Sequence, residues 1–197
     1  MSFGFPTILA EGYASLEQAL KSAYADDVLL FAAASNDGGR SGRSYPARER
    51  TVIAVHTTDT YGTRSTFSPT AIDDSSNIAT VGEAVESAWP MPKCHGKTDT
   101  QYTVHKSGTS FATPTVAGIA GFLLLYTRMH LPEHAKALKS HKRMEALLKK
   151  VAEKGHSGGS RSIRDGYHFV DLSLHPDCLF GKEESYINAI IKDVLLN

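Results

Sequence analysis

The sequence predicts an α/β fold, a mostly parallel sheet with helices on both faces. Three stretches predict it. Val28–Ser35 (VLLFAAAS) and Thr51–His56 (TVIAVH) are short apolar runs without polar alternation, the pattern of strands covered on both faces. A third stretch, almost free of charge, runs from Ser110 to Arg128 and reads as a helix. A helix that is apolar all round is buried in a core.

The 197 residues, with 21 basic and 21 acidic side chains, suit a single domain spanning 1–197 with a sizeable core. Balanced charge without a basic stripe interleaved with aromatics argues against a nucleic-acid partner. The lysines and arginine at 139, 142, 143, 149, 150 and 154 read as the solvated face of a helix. Two cysteines, Cys94 and Cys178, make no disulfide framework and suit a reducing compartment. MSFGFPTILAEG lacks the basic segment and apolar run of a secretory signal. The apolar segment Ile119–Tyr126 is far shorter than the ~20 residues a bilayer requires. A cytoplasmic protein with no membrane partner is the expectation.

Taken in order, Met1–Phe5 begins strand-like and enters a loop, Pro6–Gly12. Ser15 with Gln18 forms a capping box, and Leu16, Ala19, Leu20 and Ala23 share one helical face. The first buried strand ends in the polar turn Ser35–Gly39, where Asn36 stands beyond a strand's carboxyl end, the usual place for ligands in open α/β sheets. Asn and Asp also simply make turns. After the second strand, Thr57–Ser65 is a polar loop, and Asn77–Gly82 and Ala84–Ser87 are strand candidates. Trp89–Val104 is irregular. Beyond the apolar helix, Pro132 breaks the chain; Met144, Leu147, Leu148 and Val151 then mark a helix capped by Gly155. His156–Ser162 is a flexible loop, Asp165–Leu172 a short strand candidate, and Ile187, Ile190, Ile191, Val194 and Leu195 form the apolar face of a last helix.

The stretch Ser107–Gly121 (SGTSFATPTVAGIAG) carries the candidate chemistry. Pro114 is tolerated only in a first turn, so the helix begins within a few residues of Ser110. Ser110 therefore lies beside unpaired N–H groups and the positive end of a helix dipole, which suits an oxyanion. Serine is also among the commonest helix caps. GTSFATPTVAG nevertheless resembles the nucleophile motif GTSxAxPxVAG of subtilisin-like serine peptidases at every defining position. AAASNDGG, YPARERTVIAV and FSP resemble the family's AAAGNxG, YPAxxxxVIAV and FS, in the same order.

The resemblance covers about residues 1–128, leaving 129–197 as a helical C-terminal extension, and it implies serine endopeptidase activity on peptide or protein substrates without a cofactor. It makes Ser110 the nucleophile and Asn36 an oxyanion donor. MSFGF resembles the MSLGG segment that binds substrate as an added strand, so Ser2, Phe3 and Gly4 would form one wall of the specificity pocket. Ala33, Ala34 and Ser35 would form the other, with Ser35 where the family usually has glycine. MEALL followed by DGY resembles intracellular subtilisin-like domains within large multidomain fungal proteins.

The family carries its catalytic aspartate, and a histidine in HGTxVA, before MSLGG; no HGTxVA occurs in this sequence. A serine hydroxyl needs a base, and the base an orienting partner. His95 and His105 are the histidines nearest Ser110 in sequence, and nothing in their spacing brings either within reach. Cys94–His95 lacks zinc-ligand spacing, so no metal site is expected. Three readings follow: a peptidase site whose base and acid lie outside these residues, a non-catalytic binding module on the same scaffold, and a truncated gene product.

Overall fold

The computed structural model describes residues 1–5, 12–72, 76–89, 103–154 and 163–196. Helix α1 (Tyr13–Ala25) leads to β1 (Phe31–Ala33), β2 (Ile53–Thr58) and β3 (Ile78–Val81). A hairpin of β4 (Val85–Ala88) and β5 (Thr103–Lys106) precedes the long helix α2 (Thr109–His130). The chain closes with α3 (His141–Glu153), β6 (Ile163–Arg164), β7 (Tyr167–Phe169) and α4 (Glu184–Leu196).

The main sheet has the order β1-β2-β3-β7-β6, parallel from β1 to β7, with β6 antiparallel at the end. Every residue of β1 and β2 is buried, which explains the apolar runs Phe31–Ala33 and Ile53–Val55, although β2 ends in the buried polar residues His56, Thr57 and Thr58. Helix α2 crosses β1, β2 and β3, and α3 packs on β7. Between them lies the principal core, including Ile53, Val55, Val116, Leu123, Met144, Leu148 and Ile191. Ala32, Ala47, Val52 and Ala54 make a smaller cluster. Their alternation with Phe31, Ile53 and Val55 puts them on the sheet's other face. There Tyr13 of α1 meets Tyr45, with ring centroids 4.6 Å apart. Helices α2 and α3 thus cover one face of the sheet, and α1 makes no comparable packing against its strands.

Several expectations change. Ser15 is no cap: α1 begins earlier, behind Gly12 at φ 79, with no side-chain capping bond. A glycine suits that left-handed turn. Thr103 and Val104 belong to β5 rather than to an irregular stretch, while 90–102, including Cys94 and His95, lie outside the described residues, as do Gly155 and the loop 156–162. Pro114 stands in the second turn of α2, on its exposed side. Its missing N–H leaves the Ser110 carbonyl without the usual helical donor.

The largest change concerns α2 itself. Its buried residues are Thr109, Ala112, Thr113, Val116, Ile119, Ala120, Leu123 and Thr127, a single face. Ala117, Gly118 and Gly121 are exposed, with Phe122, Leu125 and Met129 39%, 56% and 67% exposed. One side of an all-apolar helix is therefore bare. At 22 residues it is also long and apolar enough to cross a membrane, which the run Ile119–Tyr126 alone does not suggest. Its other side is packed on the sheet.

Candidate active site

Ser110 sits at the second residue of α2 because Gly108 before it adopts φ 158 and lets the chain turn abruptly into the helix. Gly82, just after β3, holds that turn from below. Its carbonyl accepts the Gly108 N–H at 2.9 Å. A Cβ on Gly82 would lie 2.1 Å from Thr57 Oγ1 and 2.9 Å from the Gly108 carbonyl, so only glycine permits this approach. The strand–glycine pattern NIATVG therefore has a mechanical role beneath the serine.

Asn36, exposed beyond the end of β1, reaches the same turn. Thr109 donates both its N–H (2.9 Å) and its hydroxyl (3.1 Å) to Asn36 Oδ1. Two donors on one side of the carboxamide fix its orientation, because a backbone N–H requires an acceptor. The Nδ2 amine then faces away from Thr109 with its protons available. Among the described residues no acceptor takes the Ser110 N–H either. Asn36 Nδ2, 3.3 Å from where a Cβ on Gly108 would lie, and the Ser110 N–H are thus two donors near the positive end of a 22-residue helix. The sequence suggests for Thr109 only a place in the turn before Ser110; in the structure it is the first residue of α2 and holds Asn36.

Ser110 Oγ donates to the Ser2 carbonyl at 3.1 Å, bringing the N-terminal segment to the serine. That segment lies along β1: the Met1 amine donates to the Phe31 carbonyl at 2.5 Å, and Ala33 N–H donates to the Met1 carbonyl at 3.0 Å. Ser2, Phe3 and Gly4 are exposed, whereas Ala33 and Ala34 are buried and Ser35 is nearly so. Of the second wall, Ser35 is the residue that borders an open cavity. Among the described residues no imidazole bonds to Ser110; His105 instead meets the Ala84 carbonyl at 3.0 Å. His56 is wholly buried under Tyr167, ring centroids 4.9 Å apart. Burial, helped by Arg43 and Arg64, pushes its pKa down to about 3. Among the described residues no group of three or more metal-ligating side chains occurs.

The sequence profile of the Subtilase family (peptidase S8) matches residues 1–167. The chain belongs to the subtilase family. Subtilisin DY of Bacillus licheniformis is 34% identical over 127 residues, which are 63% of this chain and 41% of that protein. Thermitase of Thermoactinomyces vulgaris is 36% identical over 57% of this chain and 36% of its own length. This subtilase chain therefore spans only about a quarter to two fifths of the length of the curated relatives it matches. Among solved structures, the prenylagaramide maturation protease PagA superimposes with a TM-score of 0.63 at 28% identity, over 87% of this chain and 57% of that one. The patellamide maturation protease PatA gives 0.62 at 27%, over 98% and 62%. The chain is thus a subtilase-family domain with the family's α/β fold.

Proposed function

We propose that this chain supplies the nucleophile and the oxyanion donors of a serine endopeptidase site. Ser110 Oγ attacks the scissile carbonyl, and its N–H with Asn36 Nδ2 receives the developing oxyanion. The observation that carries the reading is the pair of hydrogen bonds from Thr109 to Asn36 Oδ1, which fixes the carboxamide and leaves Nδ2 as a donor beside the Gly108 turn that leads into the serine. Donors held in place in advance stabilise charge without reorganisation in the transition state. Ser2, Phe3 and Gly4 would pair with an extended peptide as an added strand. A peptide that takes the Ser2 carbonyl displaces the Ser110 hydroxyl from it and frees that oxygen for attack. The base that removes its proton, with an aspartate to orient it, comes from polypeptide outside these residues. The bare face of α2 and the unmatched length of the relatives support this.

The test is fluorophosphonate labelling of the intact native protein that contains this chain. Labelling at Ser110, lost together with peptide hydrolysis in Ser110→Ala, is the expected result. A second reading, a binding module without catalysis, is favoured by the engagement of Ser110 Oγ with a carbonyl rather than an imidazole. Folded native protein that resists the label decides for that second reading.

A further inference from the structure

A cavity of about 830 Å³ lies toward the C-terminal end of α2, where Arg128 is about 27 Å along the helix from Ser110. Its apolar lining is Leu124, Leu125, Pro132 and Ala135. Leu125 is on the bare side of the helix, and Met129, 67% exposed, follows it one turn later. The charged lining comes from three places: Arg128 of α2, Lys136 and Lys139 at the 3₁₀ turn Ala137–Lys139, and Asp26 and Asp27 just after α1.

Among the described residues Arg128, Lys136 and Lys139 make no ion pair, and Lys142 and Arg143, exposed in the first turn of α3, make none either. Cations in that turn oppose α3 itself, whose N-terminal dipole end is positive and whose first turn holds no acid. Carboxylates laid against this row would relieve the repulsion. Lys136 and Lys139 are three residues apart at a 3₁₀ turn, about 6 Å along its axis. Carboxylates at i and i+4 of an α-helix are also about 6 Å apart.

We infer that this cavity docks an amphipathic helix of a partner polypeptide, acidic along one edge, with its apolar side on Leu124, Leu125 and Pro132 and its carboxylates against Arg128, Lys136 and Lys139. Apolar residues at i, i+3, i+4 and i+7 of such a helix supply the affinity when it lies in a groove. The charged edge sets its orientation and speeds its arrival. A flat anionic bilayer fits less well, because burying Leu125 in it would bring Asp26 and Asp27 against like charge. No residue of the candidate active site takes part, so the inference stands apart from the reading of Ser110 and Asn36.

Two helical peptides test the inference: Ac-LEQLLEQLEQLLEQL-NH2, with its glutamates along one edge of an apolar face, and a twin with lysine in place of every glutamate. Each is titrated into the 197-residue chain, with affinity read from fluorescence anisotropy and position from the amide NMR shifts of residues 124–139. The acidic peptide is expected to shift those residues and to bind about tenfold more tightly than its twin. That advantage shrinks as salt rises. Lys136→Glu combined with Lys139→Glu inverts the preference, and Leu125→Ser weakens both peptides, while the rest of the amide spectrum stays in place. Equal affinity for the two peptides, a preference unmoved by the charge reversal, or shifts confined to other residues overturns the inference. Pelleting of the chain with phosphatidylserine vesicles, without binding of the acidic peptide, overturns it in favour of a lipid surface.

Discussion

Asn36 is useful only because Thr109 holds it, and the two residues should fail differently. In the native protein, Asn36→Ala is expected to lower turnover by about 10²–10³, with little change in peptide affinity. That magnitude is the one known for the oxyanion asparagine of subtilisin itself. Steady-state kinetics checks it, and unchanged turnover removes Asn36 from the oxyanion role. Gly82→Ala acts through packing: the new methyl meets Thr57 Oγ1 and the Gly108 carbonyl, so a loss of about 1–3 kcal/mol is expected in urea unfolding. His56 sets a pH limit. Its folded pKa of about 3 lies below its unfolded value, so the unfolded chain binds the extra proton and stability falls as pH drops below about 6.5. Between about pH 7.5 and 5 this costs about 2 kcal/mol, and His56→Gln should flatten the curve by that amount. Equal pH dependence in parent and variant would show that His56 is not its source. Ser110 and Asn36 were legible because each sits in a short run with a local mechanism, a helix start and a strand end. The role of Thr109 was not, since it depends on Asn36, 73 residues away in the chain, meeting it in space.

At the scale of elements, α2 was legible in its start, its composition and its end at Pro132, but not in its burial. An all-apolar sequence states what a helix can pack against; it does not state how much of that partner these residues provide. Leu123, wholly buried, and Leu125, 56% exposed, separate the two faces. Leu123→Ala is expected to cost about 2–5 kcal/mol in thermal or urea unfolding. Leu125→Lys should stay within about 0.5 kcal/mol of the parent while reducing concentration-dependent association in sedimentation. A large loss from Leu125→Lys would mean that the face is covered. The capping box failed for a related reason. Ser15 and Gln18 have the right spacing, but Gly12 turns the chain three residues earlier, and the helix simply runs through the serine. The parallel strands were read well because burial on both faces removes alternation, a signal that no loop or turn imitates.

At the scale of the molecule, the region beyond Arg128 shares the principal core: Leu138, Met144, Leu147, Leu148, Val151, Val170, Leu179, Ile187, Ile191 and Leu195 are buried with Val116 and Leu123 of α2. A chain ending at Arg128 is expected to lose cooperative unfolding and bind a hydrophobic dye; a sharp thermal transition would refute this. The motifs that mark the family are concentrated before Arg128, whereas what holds them in place comes after it. The pairing of β3 with β7, Ile78 opposite His168 and Ala79 opposite Phe169, makes this concrete. During synthesis the outer edge of β3 stays bare while the ninety or so residues up to β7 emerge, and bare strand edges recruit other chains. The interval in which the nascent chain is most prone to aggregate is therefore set by the elongation rate across α2 and α3, after every residue assigned to the site has been made.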